Sequence, residues 1–287
     1  MKLLLHIFAT ALLIVPAISA PPDAARGEML AGFEKEVAEL TTAIAAKPDG
    51  VALYSRRGDR QLFLGHFAEA VADFEKMIAL DPAQDAPHWR LGIAYHFAGD
   101  FAKSSAQFAK YHAYDGRDRE NGIWKFLADA KLVGIEKARA QMLEYTRFDR
   151  EPFPSLYEML AGKKTTDEIF TGIETKKLGD NGAVMFFAHY YTGLHELLLG
   201  HQERARELLG KAVASPWGRT AEGGPAYMWQ CARLHSERLA FPLGRVHAQW
   251  LHGHASLSSF PRRSWLTRGV TECDVAGPGC FSERSGF

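Results

Sequence analysis

Apolar and polar positions alternate along much of the chain with a helical period, and the arrangement returns after 34 residues. The stretch 54–82 aligns with 88–116. Gly58 matches Gly92, Gly65 matches Gly99, Phe67 matches Phe101, Phe74 matches Phe108, Leu80 matches Tyr114 and Asp81 matches Asp115. Pro48 and Pro82 keep the same spacing, as do Leu40 and Phe74, so half a copy precedes the first full one. Self-similarity of this period is the signature of stacked supersecondary units that bury their apolar faces against one another.

Each repeated position has a physical reason. Glycine inside a helix costs about 1 kcal/mol against alanine, so Gly58 and Gly92 mark places where a neighbouring helix must come close. Ala70 and Ser104 are small for the same reason, and Phe74 and Phe108 are the large knobs that fill the space. Gly65 and Gly99 end the first helix of each pair, where a left-handed residue is easiest for glycine. Pro48 and Pro82 stop the second helix. A third copy runs through Tyr191, Gly193, Gly200, Ala205, Leu209 and Ala212. It lies 101 residues beyond Gly92, counting to Gly193, one short of three periods. Between the copies, 124–133 with 136–145 and 155–161 with 166–176 read as degenerate helix pairs. Thr165 or Thr166 is the expected N-cap of the last, with Asp167 and Glu168 in its first turn. The stretch 227–239 reads as a final helix covering the open end.

The best copy, His88-Trp89-Arg90-Leu91-Gly92-Ile93-Ala94-Tyr95 with Gly99, Phe101 and Phe108, resembles the tetratricopeptide repeat pattern W-x2-L-G-x2-Y…A-x3-F…P. Trp89 stands one place from the family's position, and in the preceding copy Arg57 and Gln61 replace the usual Leu and Tyr. The resemblance implies an all-α fold, an α-solenoid of stacked antiparallel helix pairs. Its parts are repeats over 21–116, degenerate helical repeats over 117–180, and a repeat with a capping helix over 181–240. The layout is also similar to exported NlpI-type adaptor lipoproteins. There, such repeats precede a segment like Phe187-Ala188-His189-Tyr190-Tyr191-Thr192-Gly193 with Gly200 and Ala205. Those proteins are adaptors for cell-wall hydrolases and proteases. The acylation cysteine of that group is missing here.

The two ends differ from the middle. Residues 1–20 have a short positive start at Lys2, a mostly apolar run over 3–15, and small residues at Ala17 and Ser19, the layout of a secretory signal peptide. Pro21 favours cleavage after Ser19 over Ala20. The run is too short for a bilayer core of about 30 Å, so no transmembrane span is expected after cleavage. The expected location is exported, periplasmic or extracellular. Export permits a disulfide, and Cys273 and Cys280 enclose a short loop and could pair, leaving Cys231 as a buried small side chain. Residues 241–287 read as an irregular or disordered tail. Over 243–287 there are five arginines against three acids, a weak basic arm. A shifted reading frame is the other account of this stretch.

Composition narrows function without naming it. Lys+Arg and Asp+Glu both number 34, which argues against a nucleic-acid binder, and 47% hydrophobic residues can build a core. The family geometry implies that the first helix of each pair lines a concave face. That places Arg56, Asp59 and Phe63 beside Trp89, Ile93, His96 and Phe97, with Tyr190 and Leu194 doing the same in the later copy. Aromatics and arginine concentrate binding energy. The competing account is that Phe63, Ile93 and Phe97 are inter-helix core. The carboxylate clamp of co-chaperone relatives is absent: Ser55, Asp59, Trp89 and Ile93 stand at its positions. The charged run 115–122 is either a polar recognition loop or a solvated turn whose Asp118 or Arg119 leads into the helix containing Trp124.

Catalytic signatures were compared with the chain and do not close. His195-Glu196 begins H-E-x-x-H, but Leu199 stands where the second ligand belongs and His201 is two places further on. Gly162-Lys163-Lys164-Thr165 lacks the leading glycine of a phosphate loop, where Tyr157 stands. His247, His252 and His254 form a loose cluster without a strong carboxylate partner. No catalytic, metal or cofactor residues are assigned. The expectation is a protein-binding adaptor of the cell envelope with envelope proteins as partners. The rivals are a cell-envelope hydrolase acting on cell-wall or glycan material, and self-assembly into a homo-oligomer.

Overall fold

The computed structural model describes residues 23–240, apart from position 148. The signal segment, the Cys273–Cys280 pair, the His247–His254 cluster and the tail lie outside the described residues. Within them the chain forms thirteen α-helices and no strand. These are α1 (Asp23–Ala46), α2 (Val51–Leu64), α3 (Phe67–Leu80), α4 (Trp89–Ala98), α5 (Phe101–Tyr114), α6 (Arg119–Val133) and α7 (Ile135–Ala140). They continue with α8 (Phe153–Leu160), α9 (Thr166–Thr175), α10 (Gly182–Leu198), α11 (Gln202–Ala214), α12 (Pro216–Thr220) and α13 (Gly224–Ala240). A 3-10 turn, Pro82–Gln84, follows α3, with the Asp81 carboxylate accepting from the Ala83 amide.

Neighbours in sequence pack as pairs, and three pairs close by one device. A Cβ on Gly58 would stand 2.6 Å from the Phe74 ring, on Gly92 2.8 Å from Phe108, and on Gly193 2.9 Å from Leu209. Each glycine is therefore the hollow into which the large residue of the partner helix fits. Ala70, Ser104 and Ala205 are fully buried beside these contacts, and the Ser104 hydroxyl donates to the Gly92 carbonyl at 2.9 Å. The first helix of each pair is followed by a left-handed glycine, Gly65, Gly99 or Gly200. Gly65 and Gly99 bond back to carbonyls of the last turn, which satisfies groups the helix end leaves open.

The middle departs from the expected pairs. Helix α6 begins at Arg119 with Asp118 as its cap, accepting from the Glu120 amide, so the run does lead into the helix containing Trp124 as one reading of it has. The partner expected over 136–145 is only α7, six residues long. After it the chain runs back along α6 without helix, and Tyr145 and Tyr157 press onto Gly122, where a Cβ would stand 2.7 Å from the Tyr145 hydroxyl. The Tyr157 hydroxyl donates to the Leu143 carbonyl at 2.6 Å. The glycine hollow is kept, but Tyr145 of the irregular segment and Tyr157 of α8 fill it. Helices α8 and α9 lie close to their expected bounds. Thr165 caps α9 in a capping box with Glu168, an arrangement that satisfies two backbone amides at once.

The expected last helix forms as α13, packs mainly on α11 and also reaches back to earlier helices. Its side chains meet α2, α4, α6, α10 and α11. Tyr227 packs edge-on against Phe63 and Trp89, both at 4.9 Å between ring centroids. His235 packs against Phe97, Trp124 and Tyr190. The Trp229 indole donates to the Val213 carbonyl at 3.0 Å. One continuous core results, running from Leu62 to Leu234.

Candidate functional site

The nine positions assigned to a concave face divide into two groups. Phe63, Ile93, His96, Phe97, Tyr190 and Leu194 are buried. Phe63, His96, Phe97 and Tyr190 spend their surface on α13, through the ring contacts with Tyr227 and His235. Arg56 is exposed, and Asp59 and Trp89 are half-buried. Asp59 accepts from Arg90 at 2.5 Å, and Arg90 also reaches the Ser55 hydroxyl at 2.9 Å. Burial pushes the Asp59 carboxyl up to about 6, although Arg90 pulls it down.

Helix α13 is held by polar contacts as well as by apolar area. Arg233 is 2% exposed. Its guanidinium donates to the Phe63 carbonyl at 2.5 Å, to Gln230 at 2.9 Å and to Glu237 at 3.0 Å. Arg26 of α1 holds the same Glu237 at 2.7 Å. Arg238 donates to the Phe97 carbonyl at 2.9 Å and lies over the Phe67 and Phe97 rings. Phe63 and Phe97 are the same repeat position, 34 residues apart, and each offers a last-turn carbonyl at the negative end of its helix. Two arginines of one helix thus cap two successive repeats.

Past this capping, a cavity of about 260 Å³ remains. Leu127, Leu194, Leu197, Leu198 and Leu239 form most of its wall, with Phe101. His96 and His235 also face it, and Lys131 and Arg238 complete the lining, which holds no carboxylate. Leu127 and Leu194 are buried and form the floor, while Lys131 and Arg238 are exposed at the opening. Burial holds the His96 imidazole down near 3, reinforced by Lys131 and Arg238, and burial likewise holds His235 well below its usual range. Both rings are therefore neutral at pH 7. His235 is engaged through Nδ1 with the Tyr190 hydroxyl at 3.2 Å and the Cys231 carbonyl at 3.0 Å. The Nδ1 atom of His96 is buried and has no hydrogen-bond partner.

The charged run 115–122 turns inward instead of forming a free loop. Asp115 and Arg117 stay at the surface and pair with each other. Glu120 points into the protein, where it accepts from the Tyr191 hydroxyl and from Arg150 at 2.7 Å. Arg150 also lies 4.1 Å over the Phe153 ring. Burial, with Asp118 close by, pushes the Glu120 carboxyl up to about 7 against the pull of Arg150. The cluster ties α6, α10 and the chain before α8 together.

Glu196 likewise ties helices together, while both ring nitrogens of buried His195 have no hydrogen-bond partner among the described residues. The Glu196 carboxylate accepts from the Thr166 hydroxyl and is bonded to His201 Nδ1 at 2.7 Å, joining α10 to α9 and to the turn that follows it. Among the described residues no group of three or more His, Cys, Asp or Glu side chains is set to hold a metal ion. No described helix is long and apolar enough to cross a membrane. The residues missed by sequence reasoning are Tyr227, Arg233, His235 and Arg238. Their partners lie far away in sequence, as with Arg233 and the Phe63 carbonyl, so no local pattern marks them.

Compared with protein-family models and with curated proteins, the chain matches none.

Proposed function

We propose that this chain is an exported, tetratricopeptide-like adaptor, an α-solenoid of stacked antiparallel helix pairs that holds envelope proteins. The observation carrying the reading is the repeated glycine–aromatic closure of α2 on α3 and α4 on α5 at one 34-residue period. Such layers present rows of side chains at fixed intervals, which suits extended partner surfaces. Helix α13 occupies much of the inner face, so partners are held at its uncovered rim. Arg56 is exposed there and makes no ion pair among the described residues, and Trp89 is half-buried. Arg90, next to Trp89, donates to the hydroxyl of Ser55, next to Arg56, so α2 and α4 meet beside these two residues.

The test is affinity capture from an envelope extract of the native host, using the wild type and an Arg56→Ala, Trp89→Ala double variant with matching circular dichroism. Partners retained by the wild type and lost by the variant support the reading, and identical partner sets remove it. Sedimentation at several concentrations reads self-assembly in the same samples.

A further inference from the structure

We propose that the cavity between α4, α6, α10 and α13 is a binding site for a medium-chain alkyl carboxylate. Four features of the cavity select this chemistry. Five leucines and Phe101 make up most of its floor and walls, which suits an alkyl chain. Its opening carries Lys131 and Arg238, and its lining has no carboxylate, so the charge that complements it is negative. Arg238 is held rigidly by the Phe97 carbonyl and two aromatic rings, with further N–H groups left to donate. Lys131 makes no hydrogen bond or ion pair within the described residues.

Size sets the chain length. A cavity of about 260 Å³ lies a little under the roughly 300 Å³ at which drug-sized ligand pockets begin, which suits a short alkyl chain such as that of octanoate. The alkyl tail lies on Leu127 and Leu194, and the carboxylate meets Lys131 and Arg238 at the opening.

Calorimetric titration of the full chain with hexanoate, octanoate, dodecanoate, octanol and octylamine, each below its micelle threshold, tests this. Octanoate is expected to bind one to one. Affinity should rise about fourfold per methylene from six to eight carbons and gain little beyond the length that fills the cavity. Octylamine should bind much more weakly than octanoate. Lys131→Gln should weaken octanoate about threefold, as expected for one exposed charge, and leave octanol unchanged. Leu198→Trp, or Leu197→Trp, should fill the space and abolish both. The proposal is overturned by the absence of saturable octanoate binding, by equal affinity for the amine, or by octanoate binding that neither tryptophan variant alters. A short peptide ending in a free leucine carboxylate that binds more tightly than octanoate would assign the cavity to partner recognition and overturn it as well.

Discussion

Replacing Gly58 by alanine tests the packing rule on which the helix pairs rest. The new methyl would sit 2.6 Å from Phe74 Cε1 and 2.8 Å from Cδ1. Phe74 is fully buried, with His88 at 4.9 Å on one side and the Arg90 guanidinium at 5.6 Å. The ring has no free space to move into, so the substitution overpacks the core at a cost of about 1–3 kcal/mol. Alanine also gains about 1 kcal/mol over glycine in a helix. Gly58→Ala should therefore be destabilised by up to about 2 kcal/mol, the remainder of those two terms. Gly172→Ala in α9 is the control, because nothing lies within 4 Å of its Cβ, and it should gain about 1 kcal/mol. Urea unfolding followed by circular dichroism reads both, and for a domain of this size each kcal/mol moves the melting temperature by about 2–4 °C. In a double variant with Phe74→Leu the clash is relieved, so the two changes should couple favourably by about 1 kcal/mol. Stabilisation of Gly58→Ala equal to that of Gly172→Ala would refute the argument.

Three further outcomes are expected. Arg233→Met leaves the Phe63 carbonyl unpaired, while Glu237 keeps Arg26, so unfolding free energy should fall by about 3 kcal/mol; a loss under 1 kcal/mol in urea titration would show that apolar contacts alone seat α13. The Glu120 carboxyl is raised to about 7 in the folded protein, so its contribution is complete below the unfolded value near 4.5 and is lost as pH rises through 7. Wild type should thus lose up to about 3 kcal/mol relative to Glu120→Gln between pH 4.5 and 8, and parallel stability–pH curves would contradict it. Cys231 is buried and its thiol is pushed well above the usual range by burial, so in a Cys273→Ser, Cys280→Ser background it should react with a disulfide reagent only as fast as the protein opens. Complete labelling on mixing, without denaturant, would place it at the surface.

The helices were legible where side-chain size is dictated locally. Gly58, Gly92 and Gly193 sit in helical patterns that would favour alanine, and their cost makes sense only against Phe74, Phe108 and Leu209. The capping box at Thr165 and Glu168 was equally local. Two things were not legible. Tyr145 was counted as a helix residue because its apolar spacing suits one, yet it packs on Gly122 from an irregular segment; spacing cannot tell which backbone delivers a ring. The seat of α13 was hidden because it is fixed by contacts such as Arg233 to Phe63, 170 residues apart, and no periodicity carries information across that distance. The candidate cavity was missed for the same reason, since His235, Arg238 and Leu239 of α13 form one of its walls.

Helix α13 follows in sequence every helix it packs against, and this sets an order on biogenesis. A growing chain can close α2 on α3 and α4 on α5 as soon as each pair has emerged, because those contacts are local. Phe63, Phe97 and Tyr190 cannot be covered until the residues after 224 arrive. Until then the nascent protein carries an aromatic strip open to any apolar segment nearby, which is the condition under which holding chaperones act and premature termination products aggregate. Closure over so long a span is also a slow step. Maturation of this protein thus waits on delivery of its last helix, and a stop codon placed just before Gly224, where α13 begins, should leave that strip uncovered.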